Sequence, residues 1–332
     1  MAMRLYLRCE AGGTYGIGHA MRLRTIARAL RKLAPGLSLD VVGSTPGLHT
    51  VFDGEPDVSL HACLNAEDAA RFPYDGPVLI DLPFGCLEDR YRWTQQRIIR
   101  MDAPWASPAM CDAVILPGVH HAERTTLMLT SVFGAENVVN GRNYLVLPSA
   151  DTAISVPWEK KEACVAIVES GQTDIITRIA DVLIQARDIP ARYIARTSQT
   201  YESLQQRGID NLTMFSLQHI ANAQFCVCPW GITPYEIIAV DTPVIVLAMN
   251  DATFREANIA AHRLSGAIPL VVAWHHPFEQ VSLVHALRHI LNNQKRYAPQ
   301  WCAQSTLFDL LGAQRCARWI LNHIRKRYGD SL

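Results

Sequence analysis

The chain has 332 residues, 49% of them apolar and 19% charged, and its 31 basic residues equal its 31 acidic ones. That length can bury two separate cores, and the composition is globular, which excludes a disordered or fibrous chain. With a net charge of zero there is no field to attract a polyanion, so neither a nucleic-acid nor a membrane-surface partner is expected.

In chain order, short apolar runs alternate with amphipathic stretches, the pattern of βα units. RLYLRC reads as the first strand, MRLRTIARALRKL as a helix closed by Pro35 and Gly36, and LSLDVVG, PVLIDL, RIIRMD and AVILPG as further strands. Continuous Val, Ile and Leu runs suit strands buried on both faces of a parallel sheet. The stretch PSADTAISVPWEKKE, with two prolines, small polar residues and charges, breaks the rhythm and reads as an interdomain linker. After it ACVAIVES, ARYIART, LTMFSL, FCVCP and PVIVLAM read as strands. TDIITRIADVLIQAR, HIANA, TPYEIIAV and FREANIAAHRLS read as helices, followed by a helical tail from Ser282 to Arg327. The predicted boundaries are an N-terminal domain over 1–148, a linker over 149–162, a C-terminal domain over 163–305 and a final segment over 306–332 that packs back toward the first domain. Two doubly wound α/β domains facing a central cleft would place ligands outside the carboxyl ends of their strands.

The nine cysteines form no disulfide framework: the count is odd, no signal-peptide pattern precedes the first strand, and Cys226 and Cys228 alternate as strand residues do. They are expected to be reduced and mostly buried, in a cytoplasmic protein. No apolar stretch approaches the roughly 18 to 20 residues that span a bilayer. His275 and His276 in WHHPF are adjacent, and neighbours in sequence do not face one site on a helix or strand, so they do not read as a metal centre; His120 and His121 in PGVHHAER follow a strand and could reach the cleft, although a loop histidine is more often merely exposed.

The richest stretch is GGTYGIGHAMR, directly after the first strand. Glycines there permit backbone geometries that side chains forbid, and Gly16 and Gly18 flank the step into the helix. His19 then falls at the first helical turn, where free N–H groups and the helix dipole favour a neutral imidazole available as a base. Arg22, one turn later on the same face, could meet a phosphate or a carboxylate. A Gly-rich strand-to-helix turn is also common in any α/β fold, and the G-x-G-x-x-G dinucleotide spacing is not reproduced.

GIGHAMRLRTIARAL resembles the G-x-G-H-x-x-R…L-A signature of the UDP-sugar hydrolase of pseudaminic acid biosynthesis and the related spore-coat polysaccharide proteins. The resemblance continues in order through PVLIDL, RIIRMDAP, CDAVILPG and NGRNYLVLPS, and in the second half through IANAQFCVCPWGITPYEIIAVDTPVIVLAMND. It implies a GT-B fold, shared more distantly with the N-acetylglucosaminyltransferase of peptidoglycan synthesis. It also implies that His19 is the catalytic base, with Asn250 matching the asparagine of the family's N-Q pair, where Asp251 replaces the glutamine; Asp81 and Asp102 are candidate acceptor-side carboxylates, with structural roles at strand ends as the plainer alternative. Glu236 matches the glutamate that commonly holds the ribose hydroxyls in GT-B enzymes. Gly231, Ile232 and Thr233 would present N–H groups to a diphosphate. Gly171 and Thr173 lie in a second phosphate-side loop, ESGQTD, where relatives have G-G-S-D. Phe215, Ser216 and Leu217 would lie beside the base, although core packing is the plainer role for Phe215.

Two departures concern the chemistry. The tyrosine of the hydrolases' D-x-Y arrangement is absent from Asp81–Leu82–Pro83, and RMDAP has the single aspartate Asp102 where relatives often have two. The expected activity is therefore a glycosyltransferase using a nucleotide-linked sugar, with UDP implied by the resemblance only and a hydroxyl-bearing acceptor. A nucleotide-sugar hydrolase and a non-catalytic nucleotide-sugar binder are the alternatives. No D-x-D motif and no His/Cys ligand set stand out, so no metal or other cofactor is expected.

Overall fold

The computed structural model describes residues 4–12, 15–83, 85–86, 97–147, 155–169, 173–264, 266–276, 279–293 and 307–328. Of the predicted linker, residues 149–154 lie outside the described ones. The chain divides into two compact units, Met1–Pro148 with Leu310–Leu332, and Ser149–Asp309.

The first unit is built on a seven-stranded sheet. Its strands are β1 (Arg4–Arg8), β2 (Ser38–Gly43), β3 (Val58–Ala62), β4 (Val78–Ile80), β5 (Ile98–Met101), β6 (Ala113–Leu116) and β7 (Val138–Asn140), in the order β3-β2-β1-β4-β5-β6-β7. Every pairing is parallel. The order reverses at β1, which pairs with β2 on one side and β4 on the other, so the carboxyl ends of β1 and β4 mark the topological switch point.

Alternation along each strand divides the core. Leu5 and Leu7 join Leu39, Val41, Leu79, Ile99 and Ile115 on one face, where helix α1 (Gly18–Leu33) contributes Leu23, Ile26, Ala27 and Leu30. Those helix positions follow the i, i+3, i+4, i+7 pattern of a single apolar stripe. Tyr6, Val42, Val78, Ile80, Val114 and Leu116 face the other way, toward Leu129 and Phe133 of helix α4 (Glu123–Phe133); α2 (Gly47–Phe52) and α3 (Ala66–Ala70) lie between β2 and β4 in sequence.

The second unit repeats the plan with β8 (Glu162–Val168), β9 (Ala191–Ala195), β10 (Leu212–Met214), β11 (Ala223–Pro229), β12 (Val244–Ala248) and β13 (Leu270–Ala273), ordered β10-β9-β8-β11-β12-β13 and parallel throughout. Its helices are α5 (Thr173–Leu183), α6 (Ser198–Gln206), α7 (Leu217–Asn222), α8 (Thr233–Ile238), α9 (Asp251–Arg263) and α10 (Glu279–Asn292). Ile175, Ile176 and Ile179 of α5, with Leu283 and Leu287 of α10, cover one face of its sheet. The last helix, α11 (Gly312–Tyr328), belongs to the first unit, where Cys316, Ala317, Ile320 and Ile324 join the core beneath α1.

Among the described residues the predicted helical tail comprises α10 and α11; residues 294–306 lie outside the described ones. LTMFSL is a strand only to Met214, because Ser216 turns the chain into α7. The eight described cysteines are free, and burial pushes the thiols of Cys111 and Cys316 up to about 12, which keeps them protonated. Among the described residues no helix is long and apolar enough to cross a membrane.

Candidate active site

Four neighbouring strands of the first unit, β1, β4, β5 and β6, bring their carboxyl ends side by side, and each is followed by a side chain of one polar cluster. After β1 the Gly12 amide donates to the Gly16 carbonyl at 2.7 Å. Gly16 has φ +64, a conformation that favours glycine, and α1 starts two residues later. His19 is therefore the second residue of α1, with Arg22 one turn on.

Asp81 follows β4 and is 0% exposed. Its Oδ1 lies 2.8 Å from His19 Nδ1, and it receives Arg22 Nε on Oδ2 at 2.7 Å and Arg22 Nη2 on Oδ1 at 2.6 Å. Arg22 reaches onward through Nη1 to Asp102 Oδ2 at 2.9 Å. Asp102 follows β5 in a left-handed conformation with φ +54 and has His121 Nε2 at 2.9 Å from Oδ1 and His120 Nε2 at 3.5 Å. A continuous chain of polar groups runs from His19 to the two histidines after β6.

Charge fixes the proton positions. Burial disfavours an ionised Asp81, but Arg22 and His19 outweigh it and hold the carboxyl below its ordinary value. For Asp102 too burial is outweighed, chiefly by Arg22, and the carboxyl is held well below its ordinary value. Burial likewise opposes the charge of Arg22, and the two aspartates overcome it and push its pKa up. An ionised carboxylate only accepts hydrogen bonds, so His19 Nδ1 carries the hydrogen toward Asp81. In the neutral ring that leaves the lone pair on Nε2, the tautomer a general base requires.

The depressed carboxylates set an acid limit on stability. Unfolded aspartates titrate near about 4, so below that value the unfolded chain binds protons that folded Asp81 and Asp102 refuse. Their contribution is fully present above about pH 5 and is lost as the pH falls through 4 and below. The urea midpoint is expected to hold between about pH 7 and pH 5 and to drop steeply toward pH 3; a midpoint flat to pH 3 would contradict this ion pairing.

In the second unit the corresponding ends are those of β8, β9 and β11. Glu236, in the first turn of α8, is 2% exposed and accepts from Arg196 Nη2 at 2.6 Å. Arg196, just after β9, also donates to Thr233 Oγ1 at 3.2 Å and to the Glu169 carbonyl at 3.0 Å, and its guanidinium lies 3.5 Å from the centre of the Phe215 ring. Glu169 Oε2, at the end of β8, in turn accepts from the Arg196 amide at 2.6 Å. One arginine thus ties together Glu236, Thr233 and Phe215, three of the residues singled out in the sequence. Nothing in ARYIART marks it, because its meaning depends on a glutamate in another βα unit.

Gly231 is exposed and Ile232 is the N-cap of α8, with no side chain capping it and Pro234 in the first turn. Ser216 caps α7 by accepting from the Gln218 amide at 3.2 Å, and Leu217 is buried. Gly171 lies outside the described residues; Thr173 begins α5, and its side chain lies outside the described ones as well.

Asn250 is the N-cap of α9. Its side-chain oxygen accepts from the Thr253 amide at 2.9 Å while Thr253 Oγ1 accepts from the Asn250 amide at 3.1 Å, a reciprocal capping box. The replacement Asn250→Ala is expected to cost about 1 kcal/mol of stability by losing the cap, measured by chemical denaturation. Asn250→Ser, which keeps the cap, should restore it. Asp251, exposed on α9, lies 3.2 Å from His275 Nε2, and with His276 these form a second His/Asp group, on the surface. Both adjacent histidine pairs sit in turns, where strand and helix alternation does not apply.

No family model matches the sequence, and no curated protein matches it significantly. Solved structures do. A putative UDP-N-acetylglucosamine 2-epimerase from Listeria monocytogenes is similar over 100% of this chain and 98% of its own, at 12% identity and a TM-score of 0.60. Acinetobacter baumannii MurG is similar over 96% of this chain and 99% of its own, at 11% identity and a TM-score of 0.60. Anabaena HepE, in complex with UDP and glucose, is similar over 96% of this chain and 99% of its own, at 12% identity and a TM-score of 0.59. At such identities the likeness shows the fold: the chain has the GT-B fold, with one Rossmann-like parallel sheet in each of its two units.

Proposed function

We propose that the chain is a glycosyltransferase that moves a sugar from a nucleotide, UDP in the first place, to a hydroxyl-bearing acceptor. The observation that carries the reading is the His19–Asp81 pair at the switch point of the first sheet, a half-exposed imidazole whose tautomer is fixed by a fully buried carboxylate. That pairing leaves His19 Nε2 as the acceptor of a proton, and Arg22 holds Asp81 in place from the other side.

In the proposed reaction His19 Nε2 takes the proton of the acceptor hydroxyl. The acceptor oxygen forms a bond to the anomeric carbon as the bond from that carbon to the diphosphate breaks, and the electron pair leaves with UDP. Asp81 stabilises the imidazolium that forms, without itself taking the proton. The donor binds to the second unit. Glu236, its carboxylate oriented by Arg196, accepts hydrogen bonds from the ribose hydroxyls. The amides of Gly231, Ile232 and Thr233, with Arg196 behind them, meet the diphosphate, so this step is written without a metal at the donor. The backbone at Phe215, Ser216 and Leu217 lies beside the base.

Transfer is favoured over hydrolysis because Leu82 and Pro83 follow Asp81 where the hydrolases it resembles carry a tyrosine. The test is incubation with a panel of UDP-sugars, with and without a mixture of glycan and lipid-linked acceptors. UDP release that depends on acceptor supports transfer. Free sugar and UDP without acceptor would replace it with hydrolysis, and an epimerised UDP-sugar with no UDP released would replace it with epimerisation.

A further inference from the structure

The chain of polar groups behind His19 ends in an arrangement that proton transfer to His19 does not need. Asp102 comes from the end of β5, and His120 and His121 from the loop after the adjacent β6. Asp102 Oδ1 lies 2.9 Å from His121 Nε2 and 3.5 Å from His120 Nε2, and one ligand atom from each residue falls within 4.8 Å of the others. These are separations found between neighbouring ligands around one small cation.

Three further features point the same way. The two imidazoles converge on one oxygen although they are sequence neighbours, with ring centres 4.0 Å apart. The fold reserves space for this: a Cβ at Gly118 would lie 2.6 Å from atoms of the His120 ring, so only glycine lets the ring fold back over the chain. The remaining oxygen of Asp102 is held by Arg22 at 2.9 Å, the kind of outer partner that orients a ligating carboxylate.

We propose that Asp102, His120 and His121 bind a divalent transition-metal ion, zinc being the one that two imidazoles and a carboxylate suit best. The proposal is independent of the transfer reading. Three protein ligands leave a further coordination position for water, and the ion lies on the far side of Arg22 from His19. Its role toward His19 is positioning: by fixing Asp102 it fixes Arg22, and by fixing Arg22 it fixes Asp81.

The test uses the full chain, stripped with a chelator and titrated with Zn2+ alone by calorimetry, and with Co2+ alone by visible absorption. One equivalent of Zn2+ is expected to bind, and Co2+ to show the d–d bands of a nitrogen- and oxygen-ligated site. His121→Ala and His120→Gln should each weaken Zn2+ by more than about 100-fold, beyond the 10- to 100-fold that loss of an outer partner brings. Gly118→Ala, which keeps all three ligands, should weaken it as well by displacing the His120 ring. His275→Ala with His276→Ala, on the exposed second group, should leave the affinity unchanged. Absence of one-to-one binding by the stripped wild type would overturn the proposal, as would binding lost in the His275/His276 variant and kept in His121→Ala. If a cluster variant fails to fold, the His275→Ala with His276→Ala protein decides between the two groups: one-to-one Zn2+ binding and the Co2+ bands kept there support the proposal, and their loss overturns it.

Discussion

His19→Ala is expected to lower the turnover of a UDP-sugar by about 10²- to 10⁴-fold, the usual share of a positioned general base, while leaving the affinity for UDP unchanged. The expectation follows from where the side chain sits. Its Nδ1 is committed to Asp81 at 2.8 Å, so the only ring nitrogen left for chemistry is Nε2. Removing the ring also leaves the Arg22–Asp81 pair intact, so the loss should appear in kcat without a matching loss of stability. Steady-state kinetics beside a thermal melt separates the two. Unchanged turnover in a folded His19→Ala protein would remove the catalytic assignment and leave the fold reading standing. Asp81→Asn probes the same pair from behind: an amide in place of the carboxylate can present the wrong group to Nδ1 and favour the wrong tautomer.

Arg22→Met is expected to destabilise the protein by about 3–5 kcal/mol, the cost of removing one partner from a buried ion pair. Arg22 is 6% exposed and is the only side chain that bonds both Asp81 and Asp102 among the described residues. Without it the fully buried Asp81 carboxylate loses its guanidinium, and Asp102, 22% exposed, loses the partner of its Oδ2. The denaturant midpoint measures the effect, and a companion triple replacement, Arg22→Met with Asp81→Asn and Asp102→Asn, should recover much of the loss, since the charges then go together. A shift under about 1 kcal/mol for the single variant would mean that the cluster is more hydrated than its burial indicates.

How much of this was legible beforehand follows from what each residue depends on. Helix α1 and its delivery of His19 and Arg22 were readable because glycines, a strand and an apolar stripe are local signals. The central strands were readable as apolar runs. β3, β7 and β13 were not: they lie at or near the sheet edges, and Val58–Ala62, half exposed along its length, carries no continuous apolar run. Asp81 and Asp102 could be placed at strand ends, but their meeting on Arg22 is set by strand order, which pairs β1 with β4 and β4 with β5 across long stretches of sequence. His120 and His121 read as loop residues, more often merely exposed, because what brings both rings to Asp102 is a turn that folds one ring back over Gly118, and no local pattern signals it. Arg196 carries no signature at all, since its partner Glu236 is 40 residues further along. Asn250 shows the reverse: a motif position read for chemistry whose side-chain oxygen caps a helix.

That the chain takes a nucleotide-linked donor is the claim every step above requires, and calorimetric titration with UDP, CDP, GDP and TDP tests it most directly. It predicts saturable one-to-one binding of UDP, tighter than that of the other three nucleotides, and strongly weakened in Glu236→Ala and Arg196→Ala but not in His19→Ala. No measurable binding of any nucleoside diphosphate by the folded wild type, or binding indifferent to Glu236 and Arg196, would contradict it.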